Sequence, residues 1–176
     1  MILMINGAFG VGKTTVATKL LELLPNSMLY DPEEIGYMLR NIIPDVVKTA
    51  DERTDNFQDL ALWKILVVQV AQLLHQQYGK NLVVPMTIIN PTYFHYIYSG
   101  FQAIDPETHH FCLVAREETI YNRLKQRGET EGNWCFQQTR ACLKAYQEQC
   151  FGPFIMTDDV SVDQVAERII AMLVRG

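Results

Sequence analysis

Residues 7–14 read Gly-Ala-Phe-Gly-Val-Gly-Lys-Thr, which satisfies the G-x-x-x-x-G-K-[ST] spacing of a phosphate-binding P-loop. Met1 to Asn6 ahead of it is an apolar run short enough for a buried strand. Behind it, Val16, Ala17, Leu20, Leu21 and Leu24 recur at helical spacing. Strand, glycine loop and helix start therefore follow in the order a phosphate site requires. Across Gly7, Ala8, Phe9, Gly10, Val11 and Gly12 the glycines let successive backbone N–H groups point inward at phosphate oxygens. The helix beginning near Lys13 adds about half a positive charge at its N-terminus. Lys13 is expected to bridge the β- and γ-phosphates and the Thr14 hydroxyl to ligate Mg²⁺, with Thr15 beside it in the same turn. ATP and Mg²⁺ are the expected cofactors.

Composition narrows the class. A chain of 176 residues is expected to form a single domain over 1–176 with a substantial core. The net charge is −5 and no basic run exceeds two residues, so a nucleic-acid surface is not expected. Cys112, Cys135, Cys142 and Cys150 contain no C-x-x-C pair, and the last three read as one helix face. His109-His110-x-Cys112 enters a predicted strand rather than a zinc pattern. The apolar N-terminus lacks the basic flank of a signal peptide. Leu60–Leu74 is broken by Lys64, Gln69 and Gln72, so no transmembrane segment is expected. These features predict a cytoplasmic protein.

Strands are predicted at Ile2–Ile5, Ser27–Tyr30, Leu82–Pro85, Phe111–Ala115 and Phe154–Met156. Between them fall helices near Lys13–Leu24, Glu33–Ile43, Asn56–Tyr78, Pro91–Ser99, Glu117–Gln126, Trp134–Gln149 and Val162–Val174. Asn90 caps the helix that Pro91 opens, and Gly100 is expected just past its end. The alternation predicts an α/β fold: a five-stranded, mainly parallel sheet with helices on both faces. Ligands of such sheets gather at the carboxyl ends of the strands.

Those ends discriminate among chemistries. The third strand carries Pro85 where a Walker B acid would stand, and no N-K-x-D element reads guanine. The second strand ends in Asp31, followed by Pro32, Glu33 and Glu34. Asp31 is a candidate general base, a candidate Mg²⁺ organiser through water, and a good helix N-cap; the roles are compatible. An acceptor is expected between Asp31, Arg40 and the segment holding Thr87, Asn90, Tyr93, His95, Tyr96 and Tyr98, whose rings suit a base, a sugar face or an acyl chain.

Three segments make the likeness specific: Ile5–Thr14; Tyr30-Asp31-Pro32-Glu33 with Gly36 and Leu39-Arg40; and Val84-Pro85-Met86-Thr87-Ile88. His110-Phe111, Arg123-Leu124 with Arg127, and Thr157-Asp158 before Val165-Ala166-Glu167 extend it over almost the whole chain. On these residues the chain resembles P-loop small-molecule kinases of the nucleoside-monophosphate-kinase superfold, and closely resembles the tunicamycin resistance protein family. That resemblance implies an ATP-binding cytoplasmic protein conferring resistance to a nucleoside-like antibiotic. The broader relatives imply phosphoryl transfer to a hydroxyl of a small molecule, a nucleoside-like antibiotic or a sugar. They also imply a short lid at about 127–140, entered by a helix whose arginines cover adenine (Arg123) and reach the transferring phosphate (Arg127). The bland reading of both arginines is a solvated helix face. The lid is acidic, which leaves a second function open: nucleotide-dependent sequestration of an antibiotic without phosphoryl transfer.

Overall fold

In a computed structural model, which describes residues 1–147 and 151–174, the apolar runs become five strands. These are β1 (Ile2–Gly7), β2 (Ser27–Leu29), β3 (Asn81–Met86), β4 (Thr108–Val114) and β5 (Phe154–Met156). They form one sheet in the order β2-β3-β1-β4-β5, and every pair is parallel. The helices are α1 (Lys13–Leu23), α2 (Pro32–Ile42), α3 (Ala61–Tyr78), α4 (Pro91–Ile104), α5 (Glu117–Gln126), α6 (Trp134–Ala145) and α7 (Val162–Leu173). All six residues of β1 are buried, as a central strand covered on both faces requires. Among the described residues no helix is long and apolar enough to cross a membrane.

Pro85 sits in β3, an interior strand, where a missing N–H normally breaks a ladder. Val83 accepts from Tyr30 on the β2 side, so alternation turns the Pro85 nitrogen to that same side. Pairing with β2 stops at Leu29 opposite Val83, so no carbonyl there waits for a donor. The strand end opens towards the phosphate loop instead.

Most boundaries shift by one to three residues, and three differ in ways that packing or capping accounts for. Gly100 lies inside α4, not beyond it, because a Cβ there would stand 2.7 Å from Val68 of α3; the glycine serves helix–helix packing. The helix expected from Asn56 begins at Ala61. Asn56 instead caps a short 3₁₀ turn (Phe57–Asp59), and extended Leu60 drops into the core before α3 starts. Finally, α6 ends at Ala145, and Cys150 lies outside the described residues.

His110 occupies β4 against Phe94 and Tyr98, 5% exposed, with Nδ1 3.4 Å from the Gly152 carbonyl and Nε2 unpartnered. Burial pushes its pKa down from 6.5 to about 4. The imidazole is therefore neutral in the fold at pH 7. As pH falls below 6.5 the unfolded chain takes up a proton that the folded chain refuses until about pH 4. Stability is full above 6.5 and is expected to decline across that window by on the order of 3 kcal/mol. Chemical denaturation at pH 7 and pH 4.5 checks this: His110→Phe should flatten the decline, and an equal decline in both proteins would remove His110 as its source.

Candidate active site

The loop after β1 is shaped by positive φ. Gly10 (φ 79°) tucks against α5, where a Cβ would lie 2.9 Å from Leu124. Gly12 (φ 104°) is the N-cap of α1 and faces open space. No side chain caps α1 and its first turn holds no acid, so its N-terminal N–H groups and partial positive charge suit an anion. Ala8 and Val11 anchor the loop in the core at 1% exposure, while Thr14 and Thr15 are exposed. Lys13 Nζ donates to the Ala8 carbonyl at 3.0 Å and lies 5.3 Å from the Phe9 ring centroid. Burial lowers the Lys13 pKa, opposed chiefly by the nearby Glu33 carboxylate.

Asn6 supports the loop from beneath. It is fully buried: Nδ2 donates to the Ile88 carbonyl at 3.0 Å, and Oδ1 accepts from the Gly7 and Ile88 N–H groups and the Tyr146 hydroxyl. One side chain thus ties β1, the end of β3 and the chain after α6 to the base of the loop. Its sequence signal was a lone amide closing an apolar strand.

Two cavities adjoin at this loop. The smaller, about 620 Å³, is lined by Phe9 to Val16, Asp31, Glu33, Pro85, Arg123, Arg127 and Thr157, among others. The larger, about 1050 Å³, runs from Phe9, Glu33 and Trp134 to Tyr37, Arg40 and the 3₁₀ turns after α2. Phe9 and Glu33 line both. The outer wall depends on Gly36, where a Cβ would stand 2.3 Å from the Phe57 ring, so only a bare backbone lets Phe57 lie on α2. Trp63, buried in α3, donates its indole N–H to the Pro32 carbonyl at 3.1 Å and fixes the start of α2.

Asp31 is the N-cap of α2: its Oδ1 accepts from the Glu33 N–H at 2.9 Å, and the residue lines the smaller cavity. Glu33 was not singled out by sequence position, yet it stands where the cavities meet. Burial raises its pKa and Asp31 adds to the rise; Lys13 and a hydrogen bond from Tyr37 oppose it.

Of the arginines, Arg123 donates to the Val11 carbonyl at 3.1 Å and to the Thr157 hydroxyl and carbonyl at 3.0 and 2.7 Å. It therefore braces the loop against the end of β5 while lining the cavity. Arg127 is exposed, lines the same cavity, and lies 3.8 Å from Glu129. Arg40 lines the larger cavity. Thr87 and Asn90 line neither: the Thr87 hydroxyl donates to the Gly7 carbonyl at 3.0 Å, and Asn90 caps α4 through Thr92 and Tyr93. Both side chains, in the segment between β3 and α4, are engaged by backbone partners. Tyr93, His95, Tyr96 and Tyr98 on α4 also stand outside both linings. No group of three or more His, Cys, Asp or Glu among the described residues is arranged to hold a metal.

A family model described as an AAA domain matches residues 2–153. No curated protein matches the chain in sequence. Among solved structures, a tunicamycin resistance protein of Deinococcus radiodurans is 30% identical, with a TM-score of 0.79, covering 98% of this chain and 94% of its own. A sugar kinase of Janibacter sp. is 18% identical, with a TM-score of 0.67 and coverages of 98% and 93%. A shikimate kinase of Acinetobacter baumannii is 17% identical, with a TM-score of 0.60 and coverages of 99% and 93%. The last two establish likeness of fold alone.

Proposed function

We propose that this chain, which belongs to the P-loop kinase-like family described as an AAA domain, is an ATP-dependent phosphotransferase acting on a hydroxyl of a small molecule. The observation that carries the reading is the meeting of two cavities at Phe9 and Glu33, one of them a phosphate cradle. A kinase needs two such compartments with a proton acceptor at their junction. The similarity to a tunicamycin resistance protein supports a nucleoside-like antibiotic as acceptor, and the sugar kinase supports a sugar.

The donor set fits a nucleotide with Mg²⁺. The uncapped start of α1, Lys13 and the exposed Thr14 and Thr15 supply donors and a cation for phosphate oxygens. Mg²⁺ keeps several waters and takes few protein ligands, so the Thr14 hydroxyl together with the phosphates would be enough to hold it, and Asp31 would act on it only through water. The metal, when bound, neutralises charge on the phosphates. Lys13 holds the transferring group in line. Glu33 takes the acceptor proton as the acceptor oxygen bonds to the γ-phosphorus and the bond to the bridging oxygen breaks, releasing ADP. Arg123 braces the cradle, Arg127 reaches towards the phosphates, and residues about 127–140 act as a lid in a single-domain cytoplasmic protein.

The test is incubation with ATP and Mg²⁺ against tunicamycin, nucleosides and sugars. The expected result is ADP release and an acceptor heavier by one phosphoryl group in mass spectrometry. A second reading, sequestration without transfer, is favoured by the lid arginines: Arg140 is tied to Glu117 at 2.9 Å and Arg127 faces Glu129. Tight acceptor binding with ATP recovered intact would select it.

A further inference from the structure

We propose that the outer face of α3 and α4 docks a second copy of this chain, forming a two-fold dimer. From Ile65 to Tyr78 α3 contains no Asp, Glu, Lys or Arg, and neither does α4, although one residue in five of the chain is charged. Burial does not account for this. Gln69, Gln72, Leu73 and Gln76 are exposed, at the i, i+3, i+4, i+7 spacing of a single helix face. Thr92, His95, Tyr96 and Ser99 repeat that spacing on α4 and are exposed too. The solvated face of a surface helix normally carries the charges that these positions lack. The two stripes lie side by side because Gly100 lets α4 close on Val68 of α3. Leu73 and Tyr78 are 64% and 61% exposed, and with Val70 and Leu74 they border a groove of about 380 Å³ along α3. Depletion of charge with tyrosine present is the composition of an interface core.

Charge and area together identify the partner. All of the chain's 20 acids and 15 bases stand outside these two stretches, so copies approaching by other faces meet a net charge of −5 on each side. Across this face no like charges are opposed. Gln69, Gln72 and Gln76 each carry a donor and an acceptor, so each can pair with a glutamine of a two-fold mate, which lysine or glutamate cannot do with its own kind. Lys64, at the N-terminal end of the face, is folded over the Tyr93 and Tyr96 rings at 5.1 and 5.6 Å. Helices of 18 and 14 residues, rising about 1.5 Å per residue and set roughly 8–10 Å apart, present on the order of 500 Å². Two copies together bury about 1,000 Å², the area at which a specific interface of modest affinity begins. A bilayer is the poorer fit. Interfacial helices flank an apolar face with Lys and Arg, whereas glutamine holds three of the four α3 positions.

The test is sedimentation velocity of the full chain, without ligand, from about 1 to 100 µM, the range in which an interface of this size is half-formed. The parent protein should pass from a 20.2 kDa monomer to a dimer as concentration rises. Gln72→Glu and, separately, Leu73→Glu place like charges on both sides of the contact and should each raise the dissociation constant tenfold or more. Glutamate forms helix about as well as glutamine or leucine, so both variants should keep the far-UV circular dichroism of the parent. Ala171→Glu, at an exposed position of α7, adds the same charge elsewhere and should dimerise as the parent does. A parent that stays monomeric throughout, dimerisation unaltered in both α3 variants, or an equal loss in Ala171→Glu each overturns the proposal. So does a monomeric parent that floats with phosphatidylcholine vesicles and ceases to in Gln72→Glu, which gives the face to a bilayer. No step depends on phosphoryl transfer, so the dimer stands or falls apart from the activity proposed above.

Discussion

Lys13→Ala is expected to weaken ATP binding by ten- to a hundredfold or more and to abolish phosphoryl transfer. A hydrogen bond to a charged group contributes roughly 1.5–3 kcal/mol, and the lost ammonium also leaves the phosphate charge uncompensated. The fold should tolerate the change. Burial already disfavours the Lys13 cation, so its removal relieves desolvation while giving up one hydrogen bond to the Ala8 carbonyl. The expected signature is an unchanged or slightly raised melting temperature in the free protein, with the ATP-induced rise lost. Titration calorimetry with a non-hydrolysable ATP analogue measures it. Affinity equal to the parent protein would mean that residues 7–14 are not a phosphate cradle.

The cradle was legible because its determinants are local. Glycines, lysine and threonine stand in one short stretch between a strand and a helix whose periods are visible without the rest of the chain. Parallel pairing and the position of Asp31 followed from alternation and from the rule that sites lie at strand ends, whereas the strand order β2-β3-β1-β4-β5 rests on long-range pairing that no local pattern carries. The larger cavity was not legible, since its wall is made by 3₁₀ turns at Asp45–Val47, Ala50–Glu52 and Phe57–Asp59, which carry no apolar period. That wall closes through a contact between Gly36 and Phe57 that no local pattern announces. Thr87 and Asn90 were read as acceptor ligands from their place after a strand. Which way a side chain leaves a strand end depends on its backbone partners, here Gly7 and the first turn of α4. Gly100 misled because a glycine that ends a helix and one that admits a neighbouring helix look alike in one dimension.

Exchanging the two carboxylates at the start of α2 separates base, metal organiser and cap. Glu33→Gln should leave ATP affinity nearly intact and lower the transfer rate by roughly 10²–10⁴-fold, the range that general-base catalysis supplies. Asp31→Asn should preserve the fold, because asparagine caps a helix as well as aspartate and the Glu33 N–H keeps its acceptor. If Asp31 organises a metal-bound water, its variant loses rate mainly at low Mg²⁺ and recovers as the metal is raised. The pH profile adds an independent reading. Burial raises the Glu33 pKa, and a base must be deprotonated, so activity should fall as pH drops through a value above the ordinary carboxylate range. That acid limb should vanish in Glu33→Gln and persist in Asp31→Asn. An unchanged rate for Glu33→Gln at every pH, with a metal-independent collapse in Asp31→Asn, would transfer the base role to Asp31. Unchanged rates in both would remove the junction of the two cavities from the chemistry, and with it the argument that the chain transfers a phosphoryl group there.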